Sequence, residues 1–214
     1  MDLFSAINSR RSIRKYSDKK ISTDDLEKIV EAGIHAPSAC DIQGWKFIVV
    51  DDPELMREIV DKGAASFIKD APLGILVLYD NRTDNLEYMD HVQSASAAIQ
   101  NMILSAYALG IGSCWVCHLP RKQELRKLFG IPSYYDPIAY ITLGYYDEKP
   151  KLRPRKRKVK ELISYNKFGF DESEIPNTGM NLCLKRLFRR VYYLLPFRKY
   201  LKPIVDKKFE KKFD

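Results

Sequence analysis

The sequence predicts a mixed α and β fold around a sheet that is covered on both faces. Two observations carry this. Three short runs, "WKFIVV" (45–50), "LGILVLY" (73–79) and "PIAYITLGY" (137–145), are almost continuously apolar and rich in β-branched and aromatic residues, as strands buried on both sides are. Between them lie segments whose apolar residues recur at helical spacing, and the chain has no internal repeat.

The elements follow in order. Ser22 has the character of an N-cap, Asp24 and Asp25 suit the positive end of a helix, and Leu26, Ile29 and Val30 share a face, with Gly33 as the expected stop. After the 45–50 strand, Pro53 opens a helix carrying Leu55, Met56, Ile59 and Val60. Residues 89–109, "MDHVQSASAAIQNMILSAYAL", contain no Gly or Pro and are small or apolar nearly all round, which predicts a central, closely approached helix ended by Gly110. "SCWVCHL" reads as strand, "RKQELRKLFG" as a helix stopped by Gly130, and 137–145 as the last buried strand. His35 is assigned to a helix end and His91 to a polar loop, and neither is given a catalytic role.

At 214 residues, 45% hydrophobic and 30% charged, the chain suits one globular core with an appendage. No apolar run reaches the roughly 20 residues of a membrane span, and no signal-like stretch follows Met1, so a cytoplasmic location is expected. The net charge is +8, but residues 149–160 hold eight bases and no acid, and residues 185–214 hold eleven bases against three acids. The remainder is therefore acidic, which disfavours a broad nucleic-acid-binding face.

"CWVC" has dithiol spacing, and Cys114, Cys117 and His118 are three conceivable metal ligands. A redox pair normally opens a helix, whereas this one lies in an apolar strand, and a zinc site would lack a nearby fourth ligand. Buried structural cysteines and no metal are expected.

"NSRRSIRKYS" (8–17) concentrates guanidinium groups and hydroxyls in a pattern suited to phosphate. It is accompanied by "APSACDIQGWKFIVV" (36–50), "SAAIQNMILSAYALGIGSCWV" (96–116) and "PIAYITLGYYDEKPKLRPRKRK" (137–158). In this order and spacing the four segments closely resemble the nitroreductase family of flavin enzymes, over roughly residues 3–165. The resemblance implies an α+β, three-layer α/β/α sandwich with a mixed, largely antiparallel sheet, forming an intertwined homodimer that binds FMN at its interface. Domains 1–165, binding FMN, and 166–214, a basic amphipathic extension, follow.

By position, the resemblance implies that Arg10, Arg11 and Ser12 hold the FMN phosphate and that Arg14 lies near the flavin pyrimidine edge. There a cation stabilises negative charge on the reduced ring. Pro37, Ser38, Ala39, Asp41 and Gln43 are expected to line the ring from the partner chain. The amides of Cys117 and His118 fall where the family faces flavin N5, and a basic residue of 155–158 returns to the phosphate. Arg155 and Arg157 are favoured because alternate residues of an extended segment share a side. The family usually has Asn and Pro where this chain has Asp41 and Gly44, and a carboxylate there would oppose flavin reduction and anionic substrates. Lys62 and Lys69 are the candidates for the family's mid-chain lysine.

The implied activity is transfer of hydride from NADH or NADPH, through FMN, to a nitroaromatic, quinone or similar small acceptor by ping-pong kinetics, with no catalytic side chain of its own. Two alternatives stand beside it: a flavoprotein of other chemistry, such as dehalogenation or flavin degradation, and a non-enzymatic, membrane-associated flavin-binding protein. The second is motivated by the tail. On a helical wheel, Leu184, Leu187, Phe188, Val191, Tyr192, Leu194 and Leu195 share one arc, Lys185, Arg186, Arg189 and Arg190 take the other, and Pro196 ends the pattern. Such a face suits either packing on its own dimer or an anionic membrane surface.

Overall fold

The structure is a computed structural model that describes residues 2–170, except Thr83, Asp84, Leu86 and Arg153, together with Cys183, Leu184, Leu187 and Val191. The chain divides into two units, Met1–Leu152 and Arg153–Asp214. The first holds helices α1 (Leu3–Ser9), α2 (Thr23–Ile34), α3 (Pro53–Asp61), α4 (Asp90–Ala108) and α5 (Lys122–Phe129), and strands β1 (Trp45–Val50), β2 (Leu73–Asp80), β3 (Gly112–Val116) and β4 (Tyr135–Gly144). Short 3-10 turns occupy Ala39–Asp41 and Ser66–Asp70.

Local chemistry explains the boundaries. The Ser22 hydroxyl accepts from the Asp25 N–H at 3.1 Å and starts α2. Asp52 caps α3 by accepting from the Glu54 N–H at 2.9 Å, with Pro53 in the first turn. Gly110 and Gly130, at φ 78° and 64°, end α4 and α5 in the left-handed conformation that glycine adopts most readily. Gly33 behaves otherwise than expected. It lies inside α2, and a Cβ there would sit 2.8 Å from Met102 Cγ, so its use is to let α2 approach α4, while His35 forms the C-cap.

The strands form one sheet of order β1-β2-β4-β3, and every strand pair in it is antiparallel. Both faces are covered, as the apolar runs predict. On one face Ile29 of α2 and Ala95, Ile99, Met102 and Ile103 of α4 pack on Ile75, Val77, Ala139 and Ile141. On the other, Met56 and Ile59 of α3, Ile68 and Leu125 pack on Leu76, Leu78, Val116 and Tyr140. At roughly 1.5–3 kcal/mol for each fully buried large aliphatic side chain, these two layers are the main favourable term for the unit. No described helix is long and apolar enough to cross a membrane.

His91 departs from the loop expected for it. It lies in the first turn of α4, 5% exposed, with Nε2 3.6 Å from the Asp136 carboxylate. Asp136 also accepts from Asn81 at 2.9 Å and pairs with Lys122 and Arg126, so it joins α4, α5 and β4.

The second unit has a 3-10 turn at Val159–Glu161 and an edge-to-face pair of Phe168 and Phe170, with ring centroids 5.1 Å apart. The expected tail helix lies outside the described residues except at Cys183, Leu184, Leu187 and Val191, all helical and exposed.

Candidate functional site

The basic segment after α1 is held against the free edge of β3. Helix α1 ends where the Arg10 N–H donates to the Ala6 carbonyl at 3.0 Å. The chain then extends, Ser12 forms a parallel bridge with Ser113, and the Ile13 N–H donates to the Ser113 carbonyl at 2.9 Å. Ile13 is 2% exposed and covers Gly112, where a Cβ would lie 2.8 Å from Ile13 Cγ1. Glycine there is what permits the approach. Beyond it, the Tyr16 hydroxyl donates to the Ile13 carbonyl at 2.6 Å and lies 2.7 Å from Thr142 Oγ1, while the Ser17 N–H donates to the Tyr145 carbonyl at 2.8 Å. Burial raises the Tyr16 phenol far above its ordinary value, so it remains a neutral hydrogen-bonding clamp.

With Ile13 turned inward, the residues flanking it turn the other way. Arg10, Ser12 and Arg14 all act on the buried Cys114 thiol: burial raises its pKa, while Arg14, Ser12 and Arg10 oppose the rise. The Arg14 guanidinium also lies 5.5 Å from the centroid of the Phe67 ring. Two guanidinium groups, one hydroxyl and one aromatic ring thus share a side of the sheet edge. That donor set fits the phosphate and ring of a flavin nucleotide.

Arg11 is placed differently from its neighbours. Its Nη1 donates to the carbonyls of Asn8 at 3.1 Å and Arg10 at 2.6 Å, and its Nε is buried without a partner. It bonds carbonyls at the end of α1 and lies near Tyr107, whose hydroxyl receives a hydrogen bond from Lys149 and sits 2.9 Å from Ser9 Oγ. Lys149, then Ser9, lowers the Tyr107 phenol pKa. This junction was not anticipated from sequence, because Ser9, Tyr107 and Lys149 are distant along the chain.

The 36–44 segment is a rigid loop. The Ala39 N–H donates to Ser94 Oγ of α4 at 3.0 Å, and the Gln43 N–H donates to Ser38 Oγ at 3.1 Å. Cys40, Asp41 and Gln43 have φ of 51°, 53° and 51°, a conformation that L residues hold only when their surroundings impose it. Gln43 Nε2 donates to Asp41 Oδ1 at 2.7 Å, and Pro37, Asp41 and Gln43 are exposed.

One chain keeps these two segments apart. Trp45, which follows Gly44, opens β1 at one edge of the sheet, level with Tyr79 and Asp136, whereas Ser12 lies outside β3 at the other edge, level with Leu143. Four strand spacings across and seven residues along separate Trp45 from Ser12 by roughly 30 Å.

Cys117 is exposed just past β3, and the His118 carbonyl accepts from the Ala65 N–H at 3.1 Å, next to the turn that carries Phe67. Cys114 and Cys117 lie along extended chain, which puts their Cα atoms about 10 Å apart, too far for a disulfide. A dithiol role for "CWVC" is thereby excluded on geometry. No group of three or more His, Cys, Asp or Glu suited to a metal occurs among the described residues. Lys62 pairs with Glu58 at 3.1 Å on α3, and Lys69 is exposed in the 66–70 turn. Arg155 and Arg157 are exposed within the second unit. Phe67 was missed because an isolated Phe in a turn carries no sequence signal until the fold sets it beside Arg14.

The nitroreductase family model matches residues 7–69 and 59–145. A protein of Methanothermobacter thermautotrophicus, named as a candidate NADH dehydrogenase/NAD(P)H nitroreductase, is 38% identical over 157 residues, which are 72% of this chain and 82% of that protein. An FMN reductase [NAD(P)H] of Bacillus subtilis is 26% identical over 173 residues, 72% of this chain and 70% of its own length. Among solved structures, an FMN-dependent nitroreductase of Clostridium difficile R20291 is 30% identical with a TM-score of 0.68, covering 78% of this chain and 100% of that one.

Proposed function

Because the chain belongs to the nitroreductase family and is an NAD(P)H-dependent oxidoreductase, we propose that it works as an FMN enzyme whose two equivalent sites are each completed by a partner copy. The observation that carries this is the convergence of Arg10, Ser12 and Arg14 beside Cys114 at the edge of β3. Bound FMN would supply the two-electron chemistry that links NADH or NADPH to a nitroaromatic, quinone or similar acceptor. Arg10 and Ser12 would hold the phosphate and Arg14 would offer its positive charge to the pyrimidine edge; for Arg155 and Arg157 a phosphate role rests on the family resemblance alone. The Cys117 and His118 amides would serve the ring as main-chain donors, which need no particular side chain. Arg11 supports the site from behind by bonding the end of α1. Pro37, Ser38, Ala39, Asp41 and Gln43 would cover the ring from the partner, a reading supported by the roughly 30 Å between Trp45 and Ser12 within one chain. No side chain transfers a proton or attacks the substrate.

The test is reconstitution with FMN followed by anaerobic addition of NADH and of NADPH. A bound flavin spectrum that bleaches with either donor, and recovers on adding menadione, is expected. Failure to retain FMN removes this reading. The enzyme is proposed to work in the cytoplasm, with the basic tail as a candidate contact for an anionic membrane surface.

A further inference from the structure

The 36–44 loop presents a charge in an unusual way. Three non-glycine residues, Cys40, Asp41 and Gln43, adopt left-handed backbone within four positions. Each such residue costs of the order of 1 kcal/mol or more, and such outliers cluster where geometry serves a site. Here the geometry is pinned at three points. The Ser94 hydroxyl holds the Ala39 N–H, the Ser38 hydroxyl holds the Gln43 N–H, and the Gln43 amide donates to Asp41 at 2.7 Å. The outcome is an exposed carboxylate whose direction is set by a neighbour that is itself neutral. Gln43 orients Asp41 without cancelling its charge.

We propose that Asp41 is a specificity-determining residue: held by Gln43, it makes the flavin site discriminate against anionic aromatic ligands in favour of neutral and cationic ones. This rests on the reading of 36–44 as part of the FMN site. A fixed carboxylate at a half-solvated pocket repels an anion within several ångströms by an amount equal to about a fivefold change in affinity. It leaves a neutral ligand of the same shape unaffected. Because the carboxylate is exposed, the discrimination is screened by salt.

The experiment uses the FMN-loaded full chain and two probes of nearly equal shape, benzoate and benzamide, with binding read from perturbation of the flavin absorbance and no turnover involved. The wild type is expected to bind benzamide more tightly than benzoate. Asp41→Asn should tighten benzoate about fivefold and leave benzamide within about twofold. Asp41→Glu should restore the discrimination, and Glu27→Gln, which removes an exposed charge from α2, should leave it unchanged. Raising the ionic strength from about 0.01 M to about 1 M should shrink the wild-type preference. Equal affinities in the wild type, a preference that survives Asp41→Asn, or a site that takes neither probe would overturn the proposal. If Asp41→Asn does not hold FMN, a wild-type preference that is indifferent to salt overturns it alone. A chain that never retains FMN fails at the earlier reading, whereas a flavoprotein that bleaches with NADH or NADPH but ignores ligand charge fails only here.

Discussion

Arg10 and Arg11 are adjacent and chemically identical, yet the chain gives them different work. Extended backbone sends Arg10 to the side of Ser12 and Arg14, while Arg11 turns back to the carbonyls of Asn8 and Arg10. Arg10→Ala or Ser12→Ala should therefore weaken FMN binding by about 1.5–3 kcal/mol for a charge-assisted contact, roughly ten- to a hundredfold, with the double variant weaker still. Arg11→Ala should leave FMN affinity nearly unchanged but lower the unfolding midpoint, since its hydrogen bonds are internal and worth about 1 kcal/mol each. Titration of apoprotein with FMN and denaturant unfolding of the same variants separate the two. Equal loss of FMN affinity in the Arg10 and Arg11 variants would return Arg11 to the phosphate.

At the scale of elements, Asp136 ties α4, α5 and β4 through His91, Arg126 and Lys122. Burial pushes its carboxyl up, but Lys122, then Asn81 and Arg126, outweigh burial and hold it below the ordinary carboxylate value of 3.8. A depressed folded-state pKa means stability that is present above the unfolded value and is lost as pH falls through the folded one. Thermal unfolding should show a midpoint that falls below about pH 4, and Asp136→Asn should flatten that part of the curve while lowering stability at pH 7. A wild-type midpoint that does not change between pH 5 and pH 3 would contradict this. None of it was legible in the sequence, because Asn81, His91, Lys122 and Asp136 meet only after the sheet and helices assemble. What was legible has a local cause: the strands declare themselves by continuous apolar runs, and α2 and α3 by Ser22 and Pro53. Gly33 was misread because a glycine one residue from a helix end looks the same whether it stops the helix or admits Met102. His91 was misread because its burial depends on Asp136. The proposed site rests on neighbours in sequence, at 10–14 and 36–43, whereas Phe67, Tyr107 and Ser94 gave no local signal because the fold supplies their partners.

At the scale of the whole molecule, the sequence gathers its basic residues in 149–160 and 185–214, and among the described residues of the second unit Leu184, Leu187 and Val191 are 46%, 57% and 45% exposed. The full chain is expected to sediment with anionic vesicles and be released by salt, whereas a chain ending at Gly179 should stay in solution as a dimer. Equal sedimentation of the two, with loss of the dimer on truncation, would make the tail structural instead. The placement of the two segments proposed to face flavin at opposite edges of the sheet has a genetic corollary. In a symmetric dimer whose sites each borrow a loop from the other subunit, a defect at Arg10 and a defect at Ser38 travel with different halves of a site. Two inactive proteins, one carrying each change, would then complement when co-expressed. In the mixed dimer one site collects both defects and the other collects none, so random pairing restores about one quarter of wild-type flavin sites. Two such defects placed on the same chain would instead leave one intact site when that chain pairs with wild type only if both fall in the same half.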